Sequence, residues 1–207
     1  MIAVIEYGMG NTASILNMIR RLRGNAVISS DHNLILAADA LILPGIGAFD
    51  NAIQRLHNYG LYSLIRNRVL HDKIPFLGIC LGMQLLFDSS EEGTLPGLRL
   101  INGKVKKFDF SNYEQGNLKI PHMGWNTILL KNECELFEGF STDPRFYFVH
   151  SYHVICENPK NIIATCNYGY DFACSVQNEN VFAVQFHPEK SHRFGLKLFQ
   201  NFIRIIC

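Results

Sequence analysis

The sequence predicts a single-domain α/β protein over residues 1–207, with a doubly wound, mostly parallel central sheet, helices on both faces and an added antiparallel β layer. Three observations lead there. The first hundred residues alternate apolar runs of strand length with helix-periodic segments, the pattern of parallel βαβ units. Glycine-containing loops follow three of those runs, where open α/β sheets form their ligand sites. Beyond Gly93 the pieces shorten and become β-rich, which suits antiparallel pairing or a mixed extension of the sheet.

In chain order, Ile2 to Glu6 reads as a buried strand, and a helix follows Asn11 with Ile15, Ile19 and Leu22 on one face. A short strand surrounds Val27, another runs from Ala40 to Leu43, and helical material extends from Phe49 to Leu70. The apolar run from Ile74 to Ile79 is a strand that enters a turn at Cys80. The β-rich half offers Lys104 to Phe108, Thr127 to Leu130, Phe146 to His150, Ile162 to Cys166, Phe172 to Gln177 and Val181 to Phe186. Ser191 is placed to cap a final helix whose apolar positions are Leu198, Phe199, Phe202, Ile203 and Ile206.

A length of 207 residues at 48% hydrophobic composition supports one substantial core and is short for two. The net charge of +1, from 19 basic and 18 acidic residues without a long run of either sign, argues against a nucleic-acid surface or a polybasic membrane face. No apolar run approaches the roughly 18 residues of a bilayer span, and the N-terminus lacks a basic leader, so a cytoplasmic protein is expected. The six cysteines, at 80, 134, 156, 166, 174 and 207, show neither zinc-type spacing nor paired histidines. Five are read as structural and one as chemical, and neither metal nor cofactor is expected.

The chemical one is Cys80. Gly78 and Gly82 flank it two residues away on each side, as glycines flank the nucleophile of a strand-to-helix elbow. The sulfur then stands over the sheet end, beside free N–H groups near Leu81 that favour a thiolate and can receive an oxyanion. A nucleophilic cysteine needs a base, and the base an orienting acid. His187-Pro188-Glu189, after the strand pattern Val181 to Phe186, supplies both, since residues two apart on extended backbone point the same way. The loop Pro44-Gly45-Ile46-Gly47-Ala48-Phe49 can offer a second oxyanion donor from Ile46 or Gly47. A competing pattern, Gly8-x-Gly10-x-x-Ala13 with Asp31 downstream, matches a relaxed dinucleotide fingerprint but leaves Cys80, His187 and Glu189 unexplained.

The chain resembles the class I (triad) glutamine amidotransferases, and within them the glutaminase subunits of imidazole glycerol phosphate synthase. The resemblance rests on six ordered motifs: Tyr7-Gly8-Met9-Gly10-Asn11, Leu43 to Phe49, Leu77 to Gln84, Pro121-His122-Met123-Gly124-Trp125-Asn126, Phe148 to Tyr152, and Gln185 to Ser191. It implies the class I amidotransferase fold, with a flavodoxin-like sheet, and a glutaminase. In that reaction Cys80 attacks the side-chain amide of glutamine, Leu81 and the Ile46-Gly47 loop hold the oxyanion, His187 moves protons and Glu189 fixes the imidazole. Gln84, Glu92, His150, Ser151 and Tyr152 would line the glutamine pocket. Asn11, Trp125 and Lys190 would face a partner, a (β/α)₈ cyclase subunit that receives the ammonia in a heterodimer. Glu6, Thr12 and His192-Arg193-Phe194 depart from the family pattern. They keep open a paralogue feeding ammonia to a surface-sugar amidotransferase, and a non-catalytic binding subunit is a further alternative.

Overall fold

The computed structural model describes residues 1–111, 118–140 and 143–206, so Cys207, read above as structural, lies outside the described residues. The α/β half comprises β1 (Ile2–Ile5), α1 (Thr12–Arg21), β2 (Ala26–Ser29), α2 (His32–Leu36), β3 (Ala40–Gly45), α3 (Phe49–Asn58), α4 (Leu61–Leu70), β4 (Phe76–Cys80) and the single turn α5 (Leu81–Gln84). The β-rich half contains β5 (Ser89–Ser90), β6 (Gly103–Lys107), β7 (His122–Leu130), β8 (Arg145–His150), β9 (Tyr152–Cys156), β10 (Ile162–Tyr168), β11 (Tyr170–Asn178) and β12 (Val181–Val184). The chain then forms α6 (His192–Ile206).

The sheet runs β2-β1-β3-β4-β12-β11-β10-β7-β8, with β9 joining β11 to β6, and β5 beside β6. Pairing is parallel from β2 to β12 and antiparallel from β12 through β11, β10, β7 and β8. The antiparallel part is thus a continuation of the same sheet. β1, β3, β4 and β12 are buried along their whole length, which explains their unbroken apolar runs.

Alternate strand residues feed two cores. Ala3, Ile5, Leu41, Leu43 and Phe76 pack with Ile53, Leu56, Leu61 and Ile65 of α3 and α4. Ile2, Val4, Ile42, Leu77 and Ile79 pack on the other face with Ile15 and Ile19 of α1 and Leu198, Phe199 and Phe202 of α6. Period two in the strands and an apolar stripe on each helix therefore give the doubly wound arrangement.

Several expectations need correction. The helical stretch from Phe49 to Leu70 is two helices broken at Tyr59-Gly60. The strand expected over Val181 to Phe186 stops at Val184. The Ser191 side chain does not cap α6: its hydroxyl donates to the His187 carbonyl at 2.6 Å and accepts from the Tyr147 N–H at 3.1 Å. Asp31 N-caps α2 through the Leu34 N–H, which removes the acid of the dinucleotide pattern. A Cβ on Gly10 would lie 2.9 Å from the Pro44 side chain, so that glycine serves packing between two loops.

Candidate active site

β4 carries Cys80 to the carboxyl end of the sheet between β3 and β12. There the backbone turns sharply: Cys80 takes φ 55° and ψ −112°, a left-handed conformation rare for a residue with a side chain. The turn closes so tightly that a Cβ on Gly82 would sit 1.9 Å from the Leu43 carbonyl oxygen, and one on Gly78 2.8 Å from the Gly82 oxygen. The two glycines let the chain fold back beneath the cysteine. Because α5 has one turn only, its macrodipole is small, and any help to the sulfur comes from the local N–H groups.

After β12 the chain bends through Gln185 and Phe186 to His187, then enters a 3₁₀ turn at Pro188–Lys190. His187 and Glu189 meet through that turn rather than by strand alternation, with Nδ1 2.8 Å from Glu189 Oε1. The His187 N–H donates to the Tyr147 carbonyl, and Ser191 holds the His187 carbonyl, so the imidazole is fixed from both ends of its residue. Both side chains of the pair are almost wholly buried. Burial alone would push the His187 pKa down, but the Cys80 sulfur and the Glu189 carboxylate outweigh it and raise the value to about 10. The two neighbours thus favour the imidazolium form of His187. Its Nε2 has no hydrogen-bond partner among the described residues and opens on the cavity that Cys80 also lines.

Cys80 and His187 open on one cavity of about 290 Å³. Leu81, Ile46 and Gly47 line it as well, together with Gln84, Glu92, His150, Ser151, Tyr152, Pro121 and Val149. Glu92 is anchored by the Phe49 N–H at 2.9 Å. Burial raises its pKa, partly offset by that bond. A larger open groove, about 790 Å³ around Leu130, Cys134, Phe137 and Glu138, contains none of these groups.

A buried histidine chain backs the cavity wall. His150 Nδ1 reaches the Tyr152 carbonyl at 2.8 Å, which can only accept, so His150 Nε2 is the acceptor for His122 Nδ1 at 2.9 Å. His122 Nε2 then accepts from Asn126 at 3.3 Å. Burial keeps both rings neutral, lowering His122 to about 4 and His150 to about 3. Sequence reasoning placed His122 in a motif without a role. Its partner lies 28 residues away across the β7–β8 register. Gln185 was missed in the same way, although a lone amide following the apolar run of β12 was a visible signal.

Trp125 is 40% exposed, stacks on His192 at 5.4 Å with an interplanar angle of 4°, and meets Tyr147 edge-on. Lys190 Nζ lies over the Tyr147 ring at 5.6 Å. Trp125 and Lys190 thus share one surface group with His192, while half-buried Asn11 precedes α1 in the first glycine loop. The departures Glu6 and Thr12 answer each other: Glu6 accepts from the Thr12 hydroxyl at 2.9 Å and from the Gly8 N–H at 2.8 Å. Burial raises the thiol pKa of the remaining described cysteines, Cys134 to about 11, Cys156 and Cys166 to about 12 and Cys174 well above its usual value, which disfavours their thiolates.

A cysteine on a strained elbow and a carboxylate-held histidine, lining one cavity at the end of a doubly wound sheet, are the groups that thiol-dependent acyl-transfer enzymes use. Residues 3–206 match the family glutamine amidotransferase class-I, and the chain belongs to that family. Within it, the chain is 50% identical to the imidazole glycerol phosphate synthase subunit HisH 2 of Methanococcus maripaludis, over 99% of each chain. It is 45% identical to the subunit HisH of Bdellovibrio bacteriovorus, over 99% of this chain and 100% of that one. Among solved structures, PurLQS from Thermotoga maritima superposes with a TM-score of 0.71 at 17% identity, covering 100% of this chain and 98% of that one. The glutaminase domain of Trypanosoma brucei CTPS gives 0.63 at 17% identity, over 98% and 93%. These two likenesses concern the fold. No helix among the described residues is long and apolar enough to cross a membrane.

Proposed function

We propose that the chain is the glutaminase subunit of an imidazole glycerol phosphate synthase, hydrolysing L-glutamine to L-glutamate and ammonia for histidine biosynthesis in the cytoplasm. The observation that carries this reading is the shared cavity, on which the Cys80 elbow and the Glu189-held imidazole of His187 both open. The names and full-length identity of the curated relatives support the pathway.

The Cys80 thiolate attacks the amide carbon of glutamine, and the resulting oxyanion is received by N–H groups of Leu81 and of the Ile46-Gly47 loop. His187 starts as an imidazolium, so it can give a proton to the departing nitrogen as the tetrahedral intermediate collapses to a thioester and ammonia leaves. The neutral imidazole then takes a proton from water as that water attacks the thioester. Glutamate leaves, and Cys80 and His187 return to their charged forms. Glu189 holds the tautomer and balances the imidazolium. Gln84, Glu92 and the His150–Tyr152 wall surround the amino-acid portion of the substrate.

Ammonia that escapes into water at neutral pH is protonated and loses its nucleophilic lone pair, so a shielded delivery to a partner follows from the chemistry. The partner is a (β/α)₈ cyclase subunit docked over Asn11, Trp125 and Lys190. Titrating that cyclase, with its nucleotide ligand bound, into the purified chain tests this: glutamate release should rise with a one-to-one endpoint. An unchanged rate with that cyclase, alongside stimulation by a different amidotransferase partner, would overturn the pathway.

A further inference from the structure

Gln185 is 0% exposed and its side-chain amide stands between the nucleophile and the pocket wall. Gln185 Nε2 lies 3.8 Å from Cys80 Sγ, and its Oε1 lies 3.1 Å from Gln84 Nε2. Gln84 Nε2 also reaches the Tyr152 carbonyl at 3.1 Å. The polarity of this chain is fixed at its far end. A carbonyl oxygen only accepts, so Gln84 must present its NH₂ group to Tyr152, and the second hydrogen of that group points at Gln185. Gln185 therefore turns its oxygen to Gln84 and its N–H to the sulfur. Flipping either amide would set donor against donor or acceptor against acceptor inside a buried site.

We propose that Gln185 is a catalytic residue whose side-chain N–H donates to the Cys80 sulfur and stabilises it as the reacting thiolate. A neutral thiol is a weak acceptor, and burying an amide N–H against one leaves the donor poorly satisfied. A thiolate accepts the same bond far more strongly, so the contact favours the charged form. The other groups facing the sulfur act separately. His187 supplies positive charge, the buried Tyr7 phenol stays neutral, and the Val149 carbonyl, 3.9 Å away, favours the thiol by accepting a hydrogen bond from its S–H. Gln185 opposes Val149, and through Gln84 and Tyr152 it ties the state of the sulfur to the wall that receives the substrate. This role rests on the glutaminase reading for its purpose, but the contact itself can be tested without glutamine.

The test is alkylation of Cys80 by iodoacetamide in the full chain as a function of pH, comparing the parent with Gln185→Met. The substitution should slow alkylation about fivefold or more near about pH 6, and the two curves should converge above about pH 9, where thiolate forms without help. Superimposable curves would overturn the proposal, since a purely structural role does not change the shape of the profile. Should Gln185→Met unfold, the unsubstituted chain gives the same answer by NMR. The Gln185 side-chain amide protons must shift when Cys80 is alkylated, and an unmoved resonance would contradict the contact. Glutamate release by the unsubstituted chain reports separately on the glutaminase reading.

Discussion

Glu189 Oε1 stands 2.8 Å from His187 Nδ1, with only 2% and 3% of the respective side chains exposed to solvent. A lone carboxylate so deeply buried would be costly, and the imidazolium offsets that cost while leaving Nε2 free for chemistry. Glu189→Gln keeps the shape and removes the charge. Turnover should fall by roughly 10²- to 10⁴-fold, with the glutamine KM little altered, because orientation and protonation of His187 suffer while the pocket stays intact. Steady-state glutamate release measures both parameters, and an unchanged kcat would show that the pair is structural.

Gly82→Ala should be the most damaging small substitution at the elbow. Its new methyl would lie 1.9 Å from the Leu43 carbonyl oxygen, backbone that cannot swing away as a side chain could. A loss of about 1–3 kcal/mol or more is expected by analogy with overpacked cores. The urea unfolding midpoint reads it directly.

Ser191 ties the base to β8, donating to the His187 carbonyl and accepting from Tyr147. Ser191→Ala takes the Ser191 hydroxyl from the Tyr147 N–H, while the His187 carbonyl keeps the Lys190 N–H, a cost of about 1–3 kcal/mol. It should also lower kcat without a matching change in glutamine KM, because the imidazole loses an anchor. A variant of parental stability and turnover would argue that the hydroxyl is dispensable.

The His122–His150 pair makes stability depend on acid. In the unfolded chain both rings titrate near 6.5, whereas folded His122 and His150 titrate at about 4 and about 3. Between those values the unfolded state binds more protons, so the stability contributed by burying neutral rings is whole above pH 6.5 and is lost as pH falls. His187 runs the other way: with its folded value raised to about 10, its contribution is whole below 6.5 and is lost as pH rises through 10. His122→Asn, which cannot titrate there, should make the acid limb of the unfolding free energy shallower. An unchanged slope in urea melts at several pH values would contradict the neutral pair.

Much of this arrangement was legible in the sequence where a signal is local. The unbroken apolar runs of β1, β3 and β4 announce strands buried on both faces, and the stripe of Leu198, Phe199 and Phe202 announces α6. β5, with two residues, and β9, reading Tyr152 to Cys156 with a histidine in second place, carry no such signal because their pairing partners create them. The same holds for the site. Gly78 and Gly82 mark Cys80 from two residues away, and His187 marks Glu189. The links Gln185 to Cys80 and Gln84 to Tyr152 span 105 and 68 residues and exist only once β12 lies beside β4. Ser191 shows the limit from the other side: a serine before a helix reads as a cap, and tertiary contacts claimed its hydroxyl instead.

The central claim is that glutamine is cleaved through a covalent bond to Cys80. Incubating the chain and the proposed cyclase partner with glutamine, quenching in acid and weighing the intact chain tests it most directly. A glutamyl adduct mapping to the peptide that contains Cys80, absent in Cys80→Ala together with all glutamate release, is the predicted result. Glutamate release that persists in Cys80→Ala would contradict the account.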